Sequence, residues 1–190
     1  LLMRLYAPEF PVRRAAFEEV TSGSAPVRTP LLLRHFARDP AVLLRRLAIR
    51  VAAREGLGMI AQEALADPSG IVRQAACAAI VEARWYDAAP DIARLLRRPD
   101  PDERVQDAAA VALVRIAAEL PGWIRAVVSV VRVADVRLAD GVAALLPDLP
   151  KEPVAAALAS ELRTEAVGPD ARLDRAALFR LFTAYRRATG

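Results

Sequence analysis

The side chains able to do chemistry are few in kind. Of the 27 basic residues 26 are arginine, and the 190-residue chain holds one histidine, His35, and one cysteine, Cys77. Arginine stays charged and suits bidentate recognition of carboxylate or phosphate; it is a poor proton carrier. A lone histidine gives no Ser-His-Asp or Cys-His set with alternative partners, and a His-rich iron site cannot be assembled from it. One cysteine forms no intramolecular disulfide, and no CxxC or Cys/His zinc spacing exists. A reducing compartment is therefore expected, and His35 and Cys77 read as ordinary helix residues, Cys77 as a small packing group. Gly56 and Gly58 fall between helical segments, where they read as a C-cap and a turn and not as a phosphate-cradling loop. No metal, cofactor or catalytic residue is expected.

The arginines are unevenly spread. Residues 28–54 contain seven Arg and one Asp, a local charge of +6 against +4 for the whole chain. A local positive surface can steer acidic protein segments, nucleic-acid backbone or membrane headgroups. Aromatic residues are not interleaved with these arginines as a base-stacking surface requires. The competing reading is a solvated arginine face.

The elements that position these residues follow from a recurring phrase: an apolar residue, two mostly polar ones, then two small ones. It reads Val12-Arg-Arg-Ala-Ala16, Leu44-Arg-Arg-Leu-Ala48, Val72-Arg-Gln-Ala-Ala76, Val105-Gln-Asp-Ala-Ala109, Val136-Arg-Leu-Ala-Asp140 and Leu173-Asp-Arg-Ala-Ala177. Gaps of 32, 28, 33, 31 and 37 residues between the anchors lie in the range of stacked supersecondary repeats. Hydrophobic residues make up 55% of the chain and aromatics 5%, so the apolar content is Ala, Leu and Val, suited to close helix packing. Even the β-branched run from Val127 to Val136 keeps the helical phase, and the fold class is all-α.

Asp39-Pro40, Asp67-Pro68 and Asp100-Pro101 each lie five residues before an anchor and predict an N-cap aspartate followed by proline at or near the first helical position. Thr29-Pro30 predicts the same one helix earlier. First helices of each pair (helix A) are expected at about 31–38, 57–66, 88–98, 121–133 and 152–163. Second helices (helix B) are expected at about 11–21, 40–55, 70–84, 103–118, 135–146 and 170–187. Along helix B, residues at i, i+3, i+4, i+7 and i+8 from the anchor form one buried face. The exposed stripe then falls at i+2, i+6 and i+10: Arg14 and Glu18; Arg46, Arg50 and Arg54; Gln74, Ala78 and Glu82; Asp107, Val111 and Arg115.

The Val-Arg-x-Ala-Ala phrase after an Asp-Pro turn, at a period near thirty-one, resembles the short HEAT-like repeats of the bilin-lyase type, most strongly from Asp67 to Ala118. The resemblance implies a right-handed α-solenoid of about six antiparallel hairpins in one domain, 1–190, with units near 1–22, 26–55, 56–84, 88–118, 121–147 and 151–189. It also implies that helix B lines the concave side. Turn Asp and helix B Arg should form a ladder between hairpins, Asp39 with Arg45 and Asp67 with Arg73 at a spacing of six. Arg13 and Arg137 are assigned to the same structural class. At the fourth unit Gln106 replaces the arginine, and at the fifth Asp140 occupies a small-residue position, where it must be paired, partly exposed or protonated. Repeat type does not carry chemistry.

These readings lead to a non-catalytic interaction scaffold that binds a macromolecular partner, expected to be a protein of acidic character, along helix B. Arg14, Arg46, Arg50 and Arg54 are the contact candidates. The alternative is a nucleic-acid-binding protein. It includes an activity like that of HEAT-like alkylpurine DNA glycosylases, with Asp107 on the stripe and Trp85, Tyr86 and Trp123 near helix ends, although no motif aligns these residues with that family. Leu178, Phe179, Leu181, Phe182 and Tyr185 read as an aromatic cap on the last helix, and Leu1, Leu2, Leu5 and Tyr6 as the opposite end. No run approaches the roughly 18 apolar residues of a transmembrane helix and no signal peptide is recognised, so a cytoplasmic location is expected. The start at Leu1 without methionine suggests further flanking segments.

Overall fold

The computed structural model describes residues 2–22, 30–98, 100–133, 136–167 and 175–189. Among the described residues there are helices and short 3-10 turns and no strand, so the all-α class is borne out. The chain divides into two compact units, Leu1–Ala88 and Ala89–Gly190.

In the first unit the helices are α1 (Leu2–Leu5), α2 (Phe10–Thr21), α3 (Pro30–Phe36), α4 (Val42–Arg54), α5 (Gly58–Glu63) and α6 (Gly70–Glu82). The phrase puts Leu44, Ala48, Ile49, Ala52 and Ala53 on the buried side of α4, and Val72, Ala76, Cys77, Ala79 and Ile80 on that of α6. Alanine at the contact lets these two helices, the most extensively packed pair of the unit, approach closely. Phe17 of α2 meets Phe36 of α3 edge to face, ring centroids 5.0 Å apart, within a core that includes Leu5, Val20, Leu33 and Leu44. Gly56, at φ +72°, stops α4 in the left-handed conformation that glycine tolerates. The segment expected as one helix over 57–66 tightens into a 3-10 turn at Ala64–Ala66, ahead of the helix-incompatible Asp67-Pro68.

The Asp-Pro turns need a correction. α4 and α6 each begin two residues later than an Asp N-cap predicts, with Ala41 and Ser69 in the cap positions. Asp39 instead accepts the Ala41 N–H at 2.7 Å and Asp67 the Ser69 N–H at 2.8 Å, each closing an Asx turn around the proline. Asp100 does the same with the Asp102 N–H at 2.9 Å, and Asp102 then caps α8 by accepting from Arg104 N–H. The fourth expected cap, Thr29, lies outside the described residues.

The second unit holds α7 (Ala89–Arg97), α8 (Glu103–Glu119), α9 (Ile124–Val133), α10 (Val136–Leu145), α11 (Lys151–Val167) and α12 (Arg175–Thr189). α8 buries Val105, Ala109, Ala112, Leu113 and Ile116 and packs on α7, α9 and α10. The valine run is helical through Val133, with residues 134–135 outside the described set. In α10 the buried face begins at Leu138 and continues through Ala139, Val142 and Ala143, while the expected anchor Val136 is 59% exposed. The face is turned by about 100°, one residue's rotation, relative to the phrase, keeping Ala139 and Ala143 buried while Asp140 is exposed and needs no buried partner. The sixth anchor, Leu173, lies outside the described residues. α12 turns Leu181, Ala184 and Ala188 inward, and Phe179 and Phe182, 71% and 54% exposed, outward, so these two rings do not cap the core.

Candidate functional site

The arginines of helix B fall into two physical classes. Arg13 of α2 is buried. Its Nε and Nη2 donate to Asp39 Oδ2 and Oδ1 at 2.7 and 3.1 Å, and its Nη1 donates to the carbonyls of Ala7 and Pro8 at 2.9 and 2.7 Å. Side chains of the pair are 9% and 1% exposed. Arg45 of α4 repeats the pattern one hairpin on, with Asp67 at 2.8 and 2.9 Å and the carbonyls of Asp39 and Pro40 at 3.0 and 3.2 Å. Hydrogen bonding to the carboxylate pushes both guanidinium pKa values up, against the opposing effect of burial.

The expected rung therefore has a different partner. Arg45 reaches the backbone carbonyl of Asp39, six residues back, and not its carboxylate, which belongs to Arg13. Each arginine ties its own turn to the carboxylate of the next one, 26 and 22 residues ahead. Arg73 likewise donates to the Asp67 carbonyl at 2.7 Å. Gln106, buried in α8 at the equivalent place, donates to the Arg98 carbonyl at 3.3 Å, keeping the contact to its own turn with a neutral group.

The exposed stripe is the second class. Every position from Arg14 to Arg115 named for it is exposed. Arg14 pairs along its own helix with Glu18 at 2.9 Å, and Arg54 lies 3.7 Å from Glu82 of α6. Both contacts are open to solvent and energetically slight. Arg46 and Arg50, one turn apart on α4, are exposed and engage no partner among the described residues. In the second unit Asp107 is held by Arg137 of α10, Nη1 to Oδ1 at 2.6 Å, with Glu103 3.5 Å from the same guanidinium. That links α8 to α10, as an inter-repeat role for Arg137 requires, and supplies Asp107 with a cation.

Trp85 is fixed structurally. Its Nε1–H donates to Gln62 at 2.8 Å, and its Cβ stands where a side chain on Gly58 would begin, at 2.1 Å from an ideal Cβ. Gly58 is thus the buried first residue of α5 and serves a close approach, not a turn. His35 meets Tyr6 in a tilted ring contact, centroids 4.7 Å apart and planes at 59°, with Nε2 3.4 Å from the Leu5 carbonyl. Arg34 of α3 and Arg38, four residues on in the turn after it, both reach Glu63 of α5, at 2.9 and 3.3 Å. Their convergence was not legible as a feature, although the i,i+4 spacing is its signal.

Among the described residues no three His, Cys, Asp or Glu side chains gather as metal ligands, and no helix is long and apolar enough to cross a membrane. Compared with known proteins, the chain matches no protein-family model and none of the curated proteins.

Proposed function

We propose that the chain is a HEAT-like helical-repeat scaffold that captures an acidic protein segment on the exposed stripe of its helix B elements, with Arg14, Arg46, Arg50 and Arg54 as contacts. The observation that carries this reading is the division among neighbouring arginines of one helix. Arg45 is spent on Asp67 and the Asp39 turn, whereas Arg46 and Arg50 are exposed and uncommitted. A guanidinium without an internal partner loses nothing by meeting an external carboxylate, and its fixed fork favours that geometry. Leu43, 42% exposed on α4, and Ile71, 47% exposed on α6, add apolar area on the same pair of helices. On this reading repeat stacking supplies the rigid frame, and charge supplies partner selection.

The test is a titration of purified protein with a fluorescent Glu-rich peptide and, separately, with a DNA duplex, over a range of salt. Peptide binding that weakens with salt and is lost in Arg46→Glu/Arg50→Glu supports the proposal. Duplex binding with a log–log salt slope of about −0.9 per phosphate neutralised, and no peptide binding, would instead select the nucleic-acid reading. Binding of neither probe rejects both.

A further inference from the structure

The turn side of the first unit carries a second basic feature, built from different residues. A cleft of about 560 Å³ opens between the turns at Pro8 and Pro40. Its floor is the Arg13–Asp39 pair, in which every carboxylate oxygen is already used: Oδ2 by Arg13, Oδ1 by Arg13 and the Ala41 N–H. That floor is electrically neutral and committed. The walls are Tyr6 and Leu31, each 73% exposed, together with His35, Arg34 and Arg38.

The charge in the walls does not balance. Arg34 and Arg38 share one carboxylate, Glu63, each through a single Nη2 contact, which leaves one positive charge over. Arg34 Nε is buried and has no hydrogen-bond partner among the described residues. An unmet buried donor is a standing cost, removed when a rotation of the guanidinium places it on an acceptor. The equivalent cleft one hairpin on shows that this surplus is not a by-product of the fold. It has nearly the same volume, about 550 Å³, and the same kind of floor, Arg45–Asp67. The positions five, four and one before its turn aspartate are Gln62, Glu63 and Ala66, where the first cleft has Arg34, His35 and Arg38. Arg38 also lines this second cleft, but there Glu63 stands with it, so the scaffold repeats and the surplus charge does not.

From this geometry we infer that the Tyr6–His35–Arg34–Arg38 cleft is a binding site for a carboxylate carried on an apolar or aromatic body. A single surplus positive charge matches a monoanion, and a planar carboxylate can take two parallel N–H donors from a guanidinium. Tyr6 and Leu31 provide exposed apolar area for the rest of the ligand, and a cleft of this volume lies in the range of small-ligand sites. The carboxylate can belong to a free aromatic acid or to an acidic side chain beside an aromatic one in a peptide. This site does not depend on the helix B stripe, and its residues lie on α1, α3 and the turns.

The experiment is an NMR titration of the whole labelled chain with benzoate, with benzamide as the neutral isostere, and with an N-acetylated, C-amidated Glu-Phe dipeptide. The ring signals of Tyr6 and His35 report occupancy. Benzoate, the dipeptide or both should shift them saturably at or below about 10 mM, as a ligand of this size allows, while benzamide leaves them in place. Which of the two carboxylates binds more tightly identifies the source. Arg38→Gln, at a side chain 71% exposed and so remote from folding, should weaken binding about tenfold, the value of one charge-assisted contact. Arg34→Gln should do the same if its melting is unchanged; where it unfolds, Arg38→Gln decides. No saturable shift with either carboxylate, equal binding of benzamide, or undiminished binding by Arg38→Gln would overturn the assignment. Arg46→Glu/Arg50→Glu should leave these shifts unaltered, so this site and the helix B stripe stand or fall separately.

Discussion

Arg45 and Arg46 are adjacent in sequence and opposite in fate. Helical geometry turns one toward Asp67 in the next turn and the other into solvent, and a reading based on residue type alone cannot separate them. Asp39 is where the buried class is most exposed to test. Asp39→Ala removes the carboxylate and leaves the Arg13 guanidinium buried without its ion, so chemical denaturation should show a loss of about 3–5 kcal/mol. Arg13→Met combined with Asp39→Asn should lose markedly less than Asp39→Ala alone, because no charge is then stranded and the Asx acceptor is kept. The raised pKa values of Arg13 and Arg45 set the sign of any linkage: their stabilisation is present at all pH values below the unfolded guanidinium pKa and is lost only above the folded one. Titrating these arginines therefore does not alter stability between mildly acid and mildly alkaline pH. Gly58→Ala is a second residue-scale test, since the added Cβ meets the Cβ of Trp85, which has no rotamer by which to yield. Thermal melting should show a destabilisation of about 1–3 kcal/mol.

At the scale of the element, helix positions were legible because the phrase and the Asp-Pro turns bracket each helix. α2, α6 and α8 lie within about two residues of their expected bounds. Two things were not legible. The turn aspartates close Asx turns around the prolines, which moves helix starts forward; residue type alone does not distinguish a cap from an Asx turn, since Asp suits both. The Arg–Asp pairing joins successive turns across 26 and 22 residues, and a spacing of six within one phrase pointed to the wrong carboxylate. In α10 the phrase recurs as letters, but packing begins at Leu138, so the buried face had to be read from the fold. The turn makes its own prediction. Asp67→Asn keeps the acceptor for the Ser69 N–H and loses the charge, whereas Asp67→Ala loses both, so in urea the alanine variant should be less stable than the asparagine variant by about 1 kcal/mol. Breaking the solvent-exposed Arg14–Glu18 pair with Glu18→Gln should cost no more than about 0.5 kcal/mol.

At the scale of the whole molecule the chain is two helical units, and its excess of positive charge falls in residues 28–54 of the sequence. The candidate stripe was legible in full, because every residue named for it from helical spacing is exposed; which of its arginines were already engaged was not, because that depends on neighbouring helices. The central claim is that the arginines of α4 divide into a structural one, Arg45, and recognition ones on the exposed stripe. It is tested most directly by measuring melting and Glu-rich peptide binding on the same preparations of Arg45→Gln and Arg46→Glu/Arg50→Glu. The account predicts that Arg45→Gln loses about 3 kcal/mol of stability yet binds normally while folded, and that the double variant melts as the unmodified protein does and no longer binds. Normal peptide binding by the double variant, or unchanged melting of Arg45→Gln, would contradict it.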